Sequence, residues 1–263
     1  MWYKKIIMWI NVISLFPEMF QTILNYGLIN KGIKRKLLNI NFFNPRDFTD
    51  NKNRKVDDYI YGGGDGVILK AEPLIKSIYQ AKLNMKNNVK LIYLSPQGKK
   101  INISLIKKLM LYKNIILICG RYKGIDERII NNFVDEEISI GDYILSGGEL
   151  PAMVLIDILV RQIPGVLNKI SSGNTDSFFN NGLLDSPNYT RPQKLKNLLK
   201  NKVPSVLLSG NHKKIKEWRL KQSLGITWLK RLDLFKKKKL TQKEEILFNE
   251  FKNYYFKKKN FLE

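Results

Sequence analysis

Three short segments of the chain combine glycine with hydroxyl-bearing, aromatic or apolar residues: Ser95-Pro96-Gln97-Gly98, Gly120-Arg121-Tyr122-Lys123-Gly124, and Ser139-Ile140-Gly141-Asp142-Tyr143-Ile144-Leu145-Ser146-Gly147-Gly148. Glycine lets backbone amides come close to a flat heterocycle and hydrogen-bond its edge. Three such loops converging on one ligand would suit a purine; taken singly, each is an ordinary strand-to-helix connection. Tyr61-Gly62-Gly63-Gly64-Asp65-Gly66 looks like a nucleotide loop, but a dinucleotide fingerprint needs G-x-G-x-x-G between a strand and a helix, and the spacing here is wrong. A flexible turn is its plainer reading, with Arg54, Lys55, Asp57 and Asp58 close by as chemistry-bearing neighbours. Cys119 is the one cysteine, which excludes an intramolecular disulfide and a cysteine-cluster zinc site. His212 is the one histidine, so Ser-His-Asp chemistry is excluded unless that residue is the base.

These loops need rigid elements to hold them. Val89 to Leu94 and Asn114 to Cys119 read as buried strands, each ending at a glycine-bearing turn, with a helix-patterned stretch from Ile101 to Tyr112 between them. Strand, helix, strand at this spacing predicts a parallel βαβ unit, and ligands in such sheets bind beyond the carboxyl ends of the strands. Upstream, Ile10 to Leu15 and Asn39 to Phe43 are short strand candidates, and Pro17 opens a helix carrying Met19, Phe20, Ile23 and Leu24. Asn44 to Gly66 is polar and glycine-rich and reads as loop; Glu72 to Lys82 reads as a helix with Pro73 in its first turn. Gly148 to Gln162 is the most apolar helix, apolar nearly all the way round, which predicts burial on more than one side and a place at a subunit interface. Beyond it, Ser171 to Thr175 and Asn180 to Gly182 mark a linker, and Lys194 to Lys200, Lys213 to Ser223 and Gln242 to Lys258 read as basic helices.

The chain is 263 residues long, enough for one large domain or two modest ones. With 44% hydrophobic and 26% charged residues the balance is globular, not disordered. No apolar run reaches the roughly 18 residues that a membrane helix needs. Lys4 and Lys5 precede an apolar run from Ile6 to Phe16, like the first two regions of a signal peptide, but no small-x-small cleavage site follows, so the run reads as a buried first strand. Lys and Arg number 46 against 23 Asp and Glu, a net charge of +23. A surface that basic favours a polyanionic partner, nucleic acid first and anionic membrane second, although A/T-rich codon usage also raises Lys, Asn and Ile. The cysteine and histidine counts fit a reducing cytoplasm.

A longer set of residues carries a family resemblance. Ile13 through Phe20, Pro45-Arg46-Asp47-Phe48-Thr49, Val56-Asp57-Asp58 with Gly62-Gly63-Gly64, Leu94 through Gly98, Cys119 through Tyr122, Gly124 through Arg128 and Ser139 through Pro151 closely resemble the bacterial tRNA (guanine-N1-)-methyltransferases. The likeness continues through Ile163 to Leu167, Asp176-Ser177-Phe178, Leu183 through Pro192, Leu207 through His212 and Trp218 through Gly225, and so covers nearly the whole chain from Met8. It implies an α/β fold of the SPOUT type, a parallel sheet with a deep trefoil knot, plus a small helical C-terminal domain. Residues 1–167 would be the knotted methyltransferase domain, 168–182 a flexible linker and 183–263 the tRNA-binding domain. The implied reaction moves the methyl group of S-adenosyl-L-methionine to N1 of guanine 37 in tRNA. The residues implied to hold the donor are Tyr93, Leu94, Ser95, Pro96, Gln97, Gly98, Gly120, Tyr122, Ser139, Ile140, Gly141, Tyr143, Leu145, Gly147, Gly148 and Pro151. Asp176 matches the family's general base and Arg161 its arginine for the charge developing on guanine O6. Without the resemblance, Asp176 is a solvated linker residue and Arg161 a favourable cation at a helix C-terminus. A homodimer with active sites between protomers, and a cytoplasmic location, are also implied.

The chain departs from the family pattern in a few places. Residues 1–7 precede the usual start, Asn53 and Asn188 stand where histidine is frequent, and Lys123 stands where an acid is usual. Magnesium is a trait of the family, and Lys123 argues against it here. Two alternatives remain: a ribosomal-RNA methyltransferase of the same fold, which the matched Asp176 to Phe178 and the C-terminal part oppose, and an RNA-binding protein without catalysis, which Lys123 favours.

Overall fold

A computed structural model describes residues 7–83, 85, 88–167, 176–179, 182–194 and 202–260. The chain forms two compact units, Met1–Ile170 and Ser171–Glu263. The first is built on a parallel sheet of β1 (Met8–Ile13), β2 (Leu38–Phe43), β5 (Val89–Lys100), β6 (Asn114–Cys119) and β7 (Glu136–Ser139), in the order β2-β1-β6-β5-β7. Ile10 of β1 stands opposite Ile40 of β2 and Ile115 of β6, and Leu91 of β5 opposite Ile116. The strands are almost continuously apolar because both faces of the sheet are covered. Alternation along β6 divides its residues between two cores: Ile115, Leu117 and Cys119 join one, Ile116 and Ile118 the other.

The first core lies under α1 (Gln21–Leu24), α2 (Gly27–Lys34), α4 (Ile103–Leu109) and α6 (Glu149–Gln162), with Ile29, Leu109, Leu155 and Leu159 buried against Ile10 and Val12. The second lies under α3 (Ala71–Leu83) and α5 (Glu127–Phe133), where Leu74, Ile78 and Ile129 meet Ile13 and Leu91. Local chemistry sets the helix starts. Asn102 accepts a hydrogen bond from the Leu105 amide at 2.9 Å to open α4, and the Asp126 carboxylate accepts one from Arg128 N to open α5. Buried Asn11 has a partner for each polar atom of its side chain: it donates to the Ala81 carbonyl at 2.6 Å and accepts from Asn41 Nδ2 at 3.0 Å, tying β1 to α3 and β2.

Two sequence expectations need correction. The strand expected to stop at Leu94 runs on to Lys100, because a bulge between Leu94 and Lys99 absorbs Pro96 and Gly98 before pairing resumes against Ile138 of β7. The stretch from Asn44 to Gly66, expected as loop, contains a 3₁₀ turn at Pro45–Phe48 and β3 (Asp57–Tyr59), which pairs antiparallel with β4 (Val67–Leu69). The glycine-rich run is therefore the tip of a hairpin.

In the second unit, α7 (His212–Lys230), α8 (Leu232–Phe235) and α9 (Gln242–Asn260) surround Leu183, Leu224, Leu247 and Phe248. Asn211 opens α7 by accepting from Lys214 N at 3.1 Å. A side-chain carbon at Gly225 would overlap the Phe251 ring, so the glycine sets how closely α7 approaches α9. Buried Thr227 accepts from Leu184 N at 2.9 Å and donates to Ser223 O at 2.6 Å. Asp176 to Phe179 form a bend and turn; the Phe178 amide donates to Leu183 O, and Asp185 N donates to the Ser177 hydroxyl. Of the basic helix expected at Lys194 to Lys200 only Lys194 is described, at a bend; residues 195–200 and the linker residues 168–175 and 180–181 lie outside the described residues. No helix among the described residues is long and apolar enough to cross a membrane.

Candidate active site

A cavity of about 330 Å³ opens at the carboxyl ends of β6 and β7 and beside the middle of β5, a size within the roughly 300–1,000 Å³ of small-molecule pockets. Its first wall is Tyr93 to Pro96, its second Gly120 to Gly124, and its third Ile138 to Gly148 with Pro151 of α6. The second and third glycine-bearing segments thus converge on one space with Tyr93 to Pro96, the stretch of β5 that leads into the first. Of the residues singled out for the donor, Gln97 and Gly98 lie elsewhere: within the β5 bulge they line a separate hollow with Lys99, Asp135, Glu136 and Glu137. Arg121, Lys123, Gly124, Ile138, Ile144 and Ser146 also line the main cavity, although the sequence does not single them out for the donor.

Close backbone approaches hold the walls together. Gly148 N donates to Gly120 O at 2.9 Å, and a side-chain carbon at Gly148 would stand 2.7 Å from Cys119 Cα. Only glycine lets the chain entering α6 pass the end of β6 this tightly. Tyr122 carries a positive φ of 60°, an uncommon conformation for an aromatic residue, at the bend of the second wall. The β3–β4 hairpin braces that wall: Lys123 N donates to Val67 O at 3.0 Å and Leu69 N to Gly124 O at 3.2 Å. In the third wall, Ser139 Oγ accepts from Gly141 N at 3.1 Å, and Tyr143 donates its hydroxyl hydrogen to Ile140 O at 3.2 Å.

Electrostatics differ from wall to wall. Tyr93 is buried, with its hydroxyl facing Gly120 and Gly124, and burial pushes its pKa up to about 12, aided by the negative charge of Glu137. It is a neutral hydrogen-bonding group throughout the physiological range. Lys123 is exposed at the rim, its aliphatic stem against Gly66. Arg121 Nε lies 2.9 Å from the buried carboxylate of Glu149. Among the described residues, no cluster of three or more acidic, histidine or cysteine side chains is placed to hold a metal ion.

The two residues matched to chemical steps are each placed by their own unit. Arg161 is exposed in the last turn of α6, and Asp176 is half-buried at the bend that opens the described part of the second unit, its carbonyl accepting from Phe179 N at 3.2 Å. Asn188, one of the departures, is held by Asp185 through a 3.2 Å hydrogen bond.

Residues 8–237 match the sequence pattern of the tRNA (Guanine-1)-methyltransferase family, TrmD. The chain belongs to this family. Proteins called tRNA (guanine-N(1)-)-methyltransferase from two Buchnera aphidicola subspecies share 56% and 58% identity with it. The first, from subspecies Schizaphis graminum, aligns over 95% of this chain and 94% of its own length; the second, from subspecies Acyrthosiphon pisum, over 90% and 98%. A relative of the same name from Photobacterium profundum is 54% identical over 93% of this chain and 96% of its own. The family pattern spans both units, so it takes in the cavity, α6, Asp176 and the whole of α7.

Proposed function

We propose that this protein transfers the methyl group of S-adenosyl-L-methionine to N1 of guanine 37 in tRNA, beside the anticodon. What carries the reading is the convergence of Tyr93 to Pro96 and two glycine-bearing segments of a family-matched chain on one cavity. The residues present fit the donor. Leu94, Ile138, Ile140, Leu145 and Pro151 offer apolar faces for a flat adenine, the glycine backbone offers amides for its edge, and Ser95 and Ser139 add hydroxyls. The bound donor supplies a sulfonium-activated methyl group; the chain's own residues do the rest by positioning and proton handling.

Guanine N1 holds a proton and is a poor nucleophile until that proton leaves. Asp176 serves as the base that accepts it. The negative charge that then grows on O6 is met by the Arg161 guanidinium. The exposed Lys213, Lys214, Lys216 and Arg219 of α7 meet the phosphate backbone of the tRNA. Leu150 and Val154 on α6, exposed at 51% and 42%, and the exposed Phe16 support a homodimer that covers them. The tight passage of the chain at Gly148 past Cys119 supports the trefoil knot of the superfamily. The compartment is the one that holds tRNA precursors, the cytoplasm.

The test is to incubate the protein with an unmodified tRNA transcript and S-adenosyl-L-methionine and map the methylated base. We expect N1-methylguanine at position 37, lost when that base is changed to adenine. Methylation elsewhere, or none on several tRNAs, overturns the reading.

A further inference from the structure

Behind the cavity lies a charged cluster that the proposed chemistry does not use. Glu149, at the start of α6, is 1% exposed. One of its oxygens accepts from the Ser14 hydroxyl at 2.8 Å, at the end of β1; the other lies 2.9 Å from Arg121 Nε, in the second cavity wall. The same guanidinium sits 4.5 Å from the centre of the Phe16 ring and donates to Ser146 O in the third wall at 3.3 Å. Gly147 leaves room for it, since a side-chain carbon there would overlap both Arg121 and Glu149.

An ion pair this buried is a poor way to gain stability, because desolvation offsets the attraction, and well-packed apolar residues of like volume often do as well or better. What the pair offers is direction. A flat guanidinium held on three sides has one orientation, and it fixes the second wall against the third wall and the start of α6. We infer that Ser14, Glu149 and Arg121 form a relay that positions the cavity walls for the methyl donor, with Arg121 and Glu149 as positioning residues. The inference rests on reading the cavity as the S-adenosyl-L-methionine site.

Calorimetric titration with S-adenosyl-L-methionine, run beside thermal unfolding without it, tests the relay. In the Arg121→Met/Glu149→Leu double variant the unfolding midpoint should stay at or above that of the wild type, while donor affinity falls by about tenfold or more, the scale of one misplaced binding group. Ser14→Ala, which leaves every cavity-lining residue in place, should weaken donor binding severalfold with a small change in midpoint. It also keeps the proposal open to refutation if the double variant does not fold. Donor affinity within twofold of the wild type in either folded variant makes the relay merely structural and overturns the inference. A wild type that binds no donor removes the reading of the cavity, and the relay falls with it.

Discussion

Gly98 lies so close to β7 that a side-chain carbon on it would stand 2.6 Å from the Glu137 carbonyl oxygen. That approach lets β5 resume pairing with β7 beyond its bulge. Alanine at Gly98 should therefore push the two strands apart and destabilise the first unit by about 3 kcal/mol, the upper range for overpacking. Urea unfolding followed by tryptophan fluorescence measures it; a midpoint equal to that of the wild type means the strands can separate at little cost.

The buried phenol of Tyr93 gives a spectroscopic check on the cavity. Its folded-state pKa is raised, so its contribution to stability is fully present below the unfolded value of 10.0 and is lost as pH rises toward about 12. The difference between ultraviolet titrations of the wild type and Tyr93→Phe should show one tyrosinate forming near pH 12 while the protein stays folded. A step near pH 10 would mean that the hydroxyl is open to water.

Much of the first unit was legible in the sequence because buried parallel strands are short apolar runs, and the expected β1, β2 and β6 fall within two residues of their ends. The β3–β4 hairpin was not, because three-residue strands carrying Asp57 and Asp58 show no hydrophobic period. Pro96 and Gly98 read as the end of β5 because turn residues and a bulge look alike in one dimension. In the site, glycine content revealed two of the three walls; the first, Tyr93 to Pro96, has no glycine, and the nearby Gly98 lines a separate hollow. Arg121 and Glu149 do not show as partners in the sequence because a charged side chain carries no local sign of burial; only the tertiary approach of two loops makes it so.

Removing Lys213, Lys214 and Lys216 together as glutamines should weaken tRNA binding and lower the slope of log affinity against log salt by about 1 for each phosphate no longer neutralised. Filter binding across a salt series measures both. A slope unchanged by the triple substitution moves phosphate recognition to another surface.

Asp176→Asn keeps the shape of the carboxylate and loses the proton acceptor, so turnover should vanish while donor binding persists. Arg161→Ala should lower the chemical rate by about 100-fold or more, the scale of a missing charge-stabilising donor. Single-turnover methylation at saturating tRNA isolates the step, and a near-normal rate in either variant takes that residue out of the mechanism.

Lys123 sets an ammonium at the cavity rim, where it repels a divalent cation and has only donors to offer. Methyl transfer should therefore respond weakly to magnesium, and Lys123→Glu should make it respond strongly. Single-turnover rates on prefolded tRNA across a magnesium titration decide it. Equal stimulation of the wild type and the variant leaves Lys123 without a part in cation dependence.

The cavity draws its walls from stretches near residues 93, 120 and 138 to 151, separated by a helix and a strand or more. No local fragment of the chain contains it. The pairings that make it are long in sequence, the kind that form late and slowly. A partly folded chain has no pocket to offer, so whatever occupies the cavity binds only the finished sheet. By mass action such an occupant at about a hundred times its dissociation constant adds about 2.7 kcal/mol to the native state. The supply of that small molecule thereby raises the folded share of the protein as well as feeding its reaction.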